Sequence, residues 1–255
     1  MPNILRSFSH SLSCRALRPD LSSAVQTTTV LSLGGSLMVP DGIDTKFTGE
    51  FRDFTQSYLE EHPDDRFIVV VGGGRTARAY QAALVELTPQ ATTERLDWIG
   101  IYATRLNANL LKEAFGSDCP NPVVEDPTTV TQFTGRILVA AGWKPGFSTD
   151  FDAVVLAESF GAKLVVNLTN IERVYTADPN IDPTATAIDR MSWSEFLRLT
   201  GSEWTPGKNT PFDPVAARRA ADAGLTVVTA HGKNLDNLRS ILEGQPAIAT
   251  TIYPD

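Results

Sequence analysis

The residues best suited to chemistry in this 255-residue chain are glycines and polar side chains that follow aliphatic runs. Gly34-Gly35-Ser36 and Gly72-Gly73-Gly74 each end such a run. So does Gly142-Trp143-Lys144-Pro145-Gly146-Phe147-Ser148-Thr149-Asp150. A glycine turn between a strand and a helix lets backbone N–H groups converge on an anion, helped by the positive end of the helix dipole. Arg75 and Arg78 follow the triple glycine, where a guanidinium can fork onto phosphate oxygens. Arg75 reads as a solvated helix residue and Arg78 as a phosphate ligand. Asp97 reads as a carboxylate at a helix start. Thr149-Asp150 opens another helix, so Asp150 is either a plain cap or a carboxylate that orients a substrate or a Mg²⁺-bound phosphate. The patterns GxxxxGK[ST] and GxGxxG are absent, so neither a P-loop NTPase nor a Rossmann dehydrogenase is indicated.

The stretch Leu164–Pro179 combines both characters. It begins as a buried strand and becomes polar after Leu168, with Thr169, Asn170, Glu172, Arg173, Tyr175 and Asp178, and Pro179 forbids a helix through it. Ligands in open α/β sheets bind just beyond the carboxyl ends of strands, which is where these residues would lie.

Elements that could position these groups are legible in the spacing. Strands are expected at Thr28–Leu33, Phe67–Val71, Pro122–Val124, Arg136–Ala140, Leu164–Leu168, Leu225–Thr229 and Ala247–Ile252. Helices are expected at Thr45–Glu60, Arg75–Leu87, Asp97–Phe115, Phe151–Phe160, Ser194–Leu199 and Leu235–Leu242. In the third of these, Ile101, Leu106, Leu110 and Leu111 are the expected core contacts. Asp213-Pro214 reads as an N-cap followed by proline at the first helical position. Strands alternating with helices predict an α/β fold with a mostly parallel sheet.

Bulk properties narrow the function classes. A net charge of −8 argues against a general nucleic-acid binder, because phosphate neutralisation needs a basic face. Cys14 and Cys119 form neither a CxxC nor a disulfide framework, and His10, His62 and His231 are scattered, so no metal site is predicted. No apolar run is long enough to span a bilayer. Residues 1–26 are rich in Ser and Arg and poor in acids, the composition of a disordered tail or an organelle-targeting segment. The expected location is cytoplasmic, or organellar if that segment is a transit peptide.

Taken together, Leu33-Gly34-Gly35-Ser36, Val71-Gly72-Gly73-Gly74-Arg75-Thr76-Ala77-Arg78, Asp97-Trp98-Ile99-Gly100-Ile101, Pro145-Gly146-Phe147-Ser148-Thr149-Asp150 and Thr169-Asn170 through Val174-Tyr175-Thr176-Ala177-Asp178-Pro179 resemble the amino-acid kinase family. Within that family the order of motifs is most similar to the archaeal-type UMP kinases. The resemblance implies a three-layer α-β-α sandwich over residues 27–255 as a single domain. It implies transfer of the γ-phosphoryl group of ATP to UMP, with Mg²⁺, in a homo-oligomer, often a hexamer. By matching motif, Gly34, Gly35, Ser36, Gly74 and Arg78 would meet the ATP phosphates, and Thr169, Tyr175 and Asp178 its adenosine. Gly73 and Asp97 would meet UMP, with Trp143, Lys144, Pro145, Gly146, Phe147, Ser148 and Thr149 wrapping the uridine. Asp150 and Lys208 would act in catalysis. The alternatives are another small-molecule kinase of this fold, or a non-catalytic nucleotide-binding or storage protein.

The chain also departs from the family pattern. The first glycine turn lacks the lysine that many members carry. Phe147 stands where a His is common, and Ala141 where a Gly is. Glu172-Arg173 replaces a usual Asp-Gly, and a glycine there suggests a left-handed backbone that Arg would adopt only at a cost.

Overall fold

Successive residues of a strand point to opposite faces, and in the central strands here both faces are apolar. One face presents Leu31, Leu33, Val69, Val71, Val139, Val166 and Leu168; the other presents Val30, Ile68, Val70, Leu138, Ala140 and Val165. Such strands need cover on both sides, and that need sets the architecture. The computed structural model describes residues 27–201 and 210–255.

The sheet has seven strands in the order β3-β2-β1-β4-β8-β9-β7. These are β1 (Thr27–Leu33), β2 (Asp65–Val71), β3 (Ile137–Ala140), β4 (Leu164–Thr169), β7 (Arg190–Ser192), β8 (Thr226–His231) and β9 (Thr250–Tyr253). The ladders from β3 through β2, β1 and β4 to β8 are all parallel, and β8–β9 is antiparallel. On one face lie α2 (Thr45–Glu61), α4 (Thr93–Phe115) and α8 (Leu235–Leu242), contributing Phe47, Phe51, Tyr58, Leu111, Phe115 and Leu238. On the other lie α5 (Thr149–Ser159), α6 (Trp193–Thr200) and α7 (Pro214–Asp222), contributing Val154, Leu156, Trp193, Phe196 and Ala217. The expected three-layer sandwich with a mostly parallel sheet is what forms. The short α1 (Gly35–Met38) follows β1, and α3 (Gly74–Leu87) packs outside, against α4 and α1.

From β1 the order runs to β2 and β3 on one side and to β4 and β8 on the other. The carboxyl ends of β1 and β4 therefore meet at a topological switch point, the position at which such sheets bind ligands.

Several expectations need correction. Pro122–Val124 forms no strand, only a single parallel bridge from Val124 to Ala140; Pro122 has no N–H to give a ladder. Asp97 does not start its helix. Thr92 is the cap, its hydroxyl accepting from Arg95 N–H, and Asp97 lies about one turn inside. Leu106 and Leu110 are exposed, and the buried face of α4 is Ile101, Thr104, Asn107, Ala108, Leu111 and Phe115. The polar stretch after β4 is not all loop, because β5 (Val174–Tyr175) pairs antiparallel with β6 (Ala187–Ile188). Residues 1–26, Lys208 and most of the polar Gly/Pro loop at 205–210 lie outside the described residues.

Candidate active site

The first two glycine turns interlock. A Cβ on Gly35 would overlap Gly72 and the backbone nitrogen of Gly74, and Gly74 adopts a φ of 60°. Only glycine allows both the approach and the left-handed backbone. Gly72 N–H donates to Leu33 O and Arg75 N–H to Val39 O, each at 2.9 Å, so the turns after β1 and β2 are one unit. The glycines at 35, 72 and 74 are therefore already required by this packing.

From α4, the buried Asn107 donates to the carbonyls of Gly72 (2.9 Å) and Gly73 (3.1 Å). It anchors the second turn by its carbonyl groups. Gly73 caps α3 without a side chain, and Ser36, in α1, is half-buried. Arg78 is exposed on α3. Arg75 is exposed as expected, with Asp41 at 3.6 Å.

Beyond β3 the chain is pinned residue by residue. Gly142 N–H donates to Thr104 Oγ1 (2.8 Å), and the Arg105 guanidinium donates to Trp143 O (2.9 Å) while pairing with Glu125 (2.7 Å). Trp143 N–H donates to Asp152 Oδ2 (3.1 Å), and Gly146 N–H donates to Asp97 Oδ2 (3.0 Å). Gly146 has a φ of 86°, so its turn depends on glycine. Trp143, Phe147 and Phe151 form a chain of rings with centroids 5.1 and 4.5 Å apart. Lys144 places its ammonium 3.7 Å from the Trp143 ring centre, packed on the aromatic face. Pro145 is half-buried beside it.

Ser148 caps α5, accepting from Phe151 N–H at 3.2 Å, so Thr149 and Asp150 are the first helical residues rather than the cap. Asp150 joins the layers. Its Oδ1 accepts from the Ser32 hydroxyl (3.1 Å) on β1, and its Oδ2 from Asp213 N–H (3.1 Å) at the start of α7. Burial pushes its pKa up to about 6; the nearby Asp213 charge adds to this, and the Asp213 N–H and Ser32 hydroxyl oppose it. Asp213 accepts from Val215 N–H (2.6 Å) as the cap of α7 and also from the Ser148 hydroxyl. Sequence reasoning read it only as a cap.

Beneath these carboxylates a polar row crosses three strands. Ser32, Asn167 and Thr229 are in register, and all are buried. Asn167 donates to Pro211 O at 2.8 Å. The row had a sequence signal, a polar residue that follows two or more aliphatic residues in each strand. Thr169 ends β4 and is half-buried; Tyr175 lies in β5. Asp178 is exposed and accepts from Asn180 N–H at 2.9 Å, closing its own turn. No described non-glycine residue has a positive φ, so Arg173 does not take the left-handed backbone expected of the glycine it replaces. Its guanidinium pairs instead with Asp189 at 3.3 Å.

The groups so arranged offer amide-rich turns, a pinned aromatic loop and a carboxylate pair along one sheet edge. The model of the amino acid kinase family matches residues 27–231. The chain belongs to that family. Among its relatives, the uridylate kinase of Methanospirillum hungatei is 36% identical over 228 residues, covering 88% of this chain and 94% of that one. The uridylate kinase of Hyperthermus butylicus is 38% identical over 185 residues, covering 71% of this chain and 80% of that one. The crystal structure of the Archaeoglobus fulgidus uridylate kinase superposes with a TM-score of 0.75 at 32% identity, covering 88% of this chain and 99% of that one. The Ureaplasma parvum UMP kinase, at 15% identity and a TM-score of 0.71, shares the fold.

Among the described residues no helix is long and apolar enough to cross a membrane. A cavity of about 530 Å³ opens between Glu172, His231, Lys233 and the first turn of α8, and none of the predicted site residues lines it.

Proposed function

We propose that this chain is an ATP-dependent UMP kinase, transferring the γ-phosphoryl group of ATP to a phosphate oxygen of UMP to give UDP and ADP. The observation that carries this reading is the 36% identity to a uridylate kinase over 88% of the chain, supported by a sheet in which β1, β2, β3 and β4 run parallel, so that the turns after them share one edge. Gly34, Gly35, Ser36, Gly74 and Arg78 take the donor phosphates, and Thr169, Tyr175 and Asp178 the adenosine. Gly73, Asp97 and the loop from Trp143 to Thr149 take UMP.

The bond between the γ-phosphorus and the β,γ-bridging oxygen breaks as the new P–O bond forms, and the negative charge released stays on ADP. A phosphate oxygen is already a nucleophile, so the site supplies position and positive field rather than a base. Asp150, held at both oxygens, is the fixed point between β1, α5 and α7, and Lys208 is the lysine assigned to phosphate.

Mg²⁺ asks for one or two carboxylates, with phosphate and water oxygens completing its shell. No described group of three or more His, Cys, Asp or Glu residues is placed to hold a metal by itself. A single Asp150 carboxylate beside bound phosphates fits the cation, which when present neutralises phosphate charge. The protein is further proposed to be cytoplasmic and to form homo-oligomers, which is supported by α3. That helix buries no residue. It leaves Tyr80 64% and Leu87 83% exposed, beside Tyr102 at 59% and Leu106 at 66% on α4.

The test is ADP release from ATP and Mg²⁺ with UMP, CMP, AMP or isopentenyl phosphate as acceptor. UMP is expected to be the best acceptor, and no UMP-dependent ADP would overturn the proposal. ATP binding without turnover on any acceptor would point to a nucleotide-binding protein. Asp97→Asn is expected to raise the KM for UMP about tenfold and leave that for ATP within about twofold.

A further inference from the structure

Apart from Asp152, the buried residues of α5 are Phe151, Ala153, Val154, Val155, Leu156 and Ala157. Asp152 has 0% exposure among them. Its Oδ2 accepts the N–H of Trp143, and its Oδ1 is buried without a hydrogen-bond partner. A buried carboxylate oxygen left unpaired is costly. The helix N-terminus, which favours acids in its first turn, offsets only a part of this. An apolar residue would serve the packing of α5 better, so the reason for an acid lies in what Oδ2 holds.

What it holds is the entry to the 142–148 loop. Arg105 grips the carbonyl of Trp143, Asp152 grips its N–H, and the Lys144 ammonium covers its ring. One turn further on, Asp97 grips Gly146 N–H. With both main-chain groups of Trp143 held, its peptide planes cannot rotate, and the indole keeps its place against Phe147.

We propose that Asp152 is a positioning residue that sets the acceptor loop by holding Trp143 by its main chain. It touches no substrate; it acts through Trp143. The proposal rests on the assignment of this loop to the phosphate acceptor, and it costs the fold stability in exchange for a preorganised site.

The test compares Asp152→Asn, which keeps an oxygen for the Trp143 N–H, with Asp152→Val and Asp152→Ala, which do not. Amide hydrogen exchange over residues 143–148 is measured on the ligand-free full chain, together with KM for UMP and ATP and with Tm. In the Val and Ala variants the loop amides are expected to exchange at least about fivefold faster. KM for UMP should rise about tenfold and KM for ATP stay within about twofold, with Tm of the Val variant unchanged or raised. The Asn variant should remain within about threefold of the native protein in loop exchange and in both KM values. Loop exchange indistinguishable from native in both Val and Ala variants would overturn the proposal. So would a rise in both KM values together with a fall in Tm, the mark of a purely structural residue. Should the native protein show no UMP turnover, the functional reading fails, while the exchange experiment still decides what Asp152 does.

Discussion

At the scale of single residues, the half-buried Asp150 and the fully buried Asp152 dominate the electrostatics of the site. Burial is the largest cause of the raised pKa of Asp150, to about 6, and of Asp152, to about 7. For Asp152, the charges of Asp150, Asp126 and Asp213 push in the same direction, and the Trp143 N–H opposes them. The folded chain thus keeps protons that the unfolded chain gives up near pH 4. The stability associated with these groups is fully present below about pH 4 and is lost as the pH rises through 6 and 7. Asp152→Asn removes one titration. Its Tm relative to the native protein is expected to climb between about pH 4 and pH 7, corresponding to roughly 4 kcal/mol at most. Calorimetry across that range checks it, and a Tm difference independent of pH would count against it.

At the scale of elements, the site is made by helix starts and glycine turns brought to one edge. The start of α7 shows how much one residue can join. Asp213 caps its own helix, accepts from Ser148 at the start of α5, and presents its N–H to Asp150. Losing a cap costs about 1 kcal/mol, yet Asp213→Ala also releases Ser148 and removes the charge beside Asp150. Chemical denaturation is expected to show a loss of about 1–2 kcal/mol, and kcat a fall of more than about tenfold. A fall in stability with kcat unchanged would make Asp213 a cap and nothing more. α4 shows why a helix found correctly can still be oriented wrongly. Tyr102, Leu106 and Leu110 form one stripe at four-residue spacing, and Ile101, Ala108, Leu111 and Phe115 form another. Both satisfy helical periodicity, and the face that meets the sheet carries Thr104 and Asn107, which hold the turns after β2 and β3.

At the scale of the molecule, the outer stripe of α4 and the outer face of α3, a helix with no fully buried residue, leave an apolar surface on one side. Soluble monomers rarely expose such a patch without using it. Leu106→Glu is expected to keep the fold and lower the mass seen in sedimentation. A native protein that sediments as a monomer would remove the basis for a homo-oligomer.

What the sequence by itself determined is local, and not all of that, since the Thr92 start of α4 and the β5–β6 pair escaped it. The apolar strands, the Asp213-Pro214 helix start and the extent of α8 follow from propensity, capping and periodicity, which act within a few residues. The motif order led to the family. Tertiary structure alone decided which stripe of α4 faces the sheet and that the first two glycine turns interlock. It also decided that Asp150 lies between Ser32 and Asp213, and that a buried acid at 152 holds Trp143. Each of these joins residues on different elements. Local preferences carry no information about such partners, because burial and hydrogen bonding are settled only when the layers close.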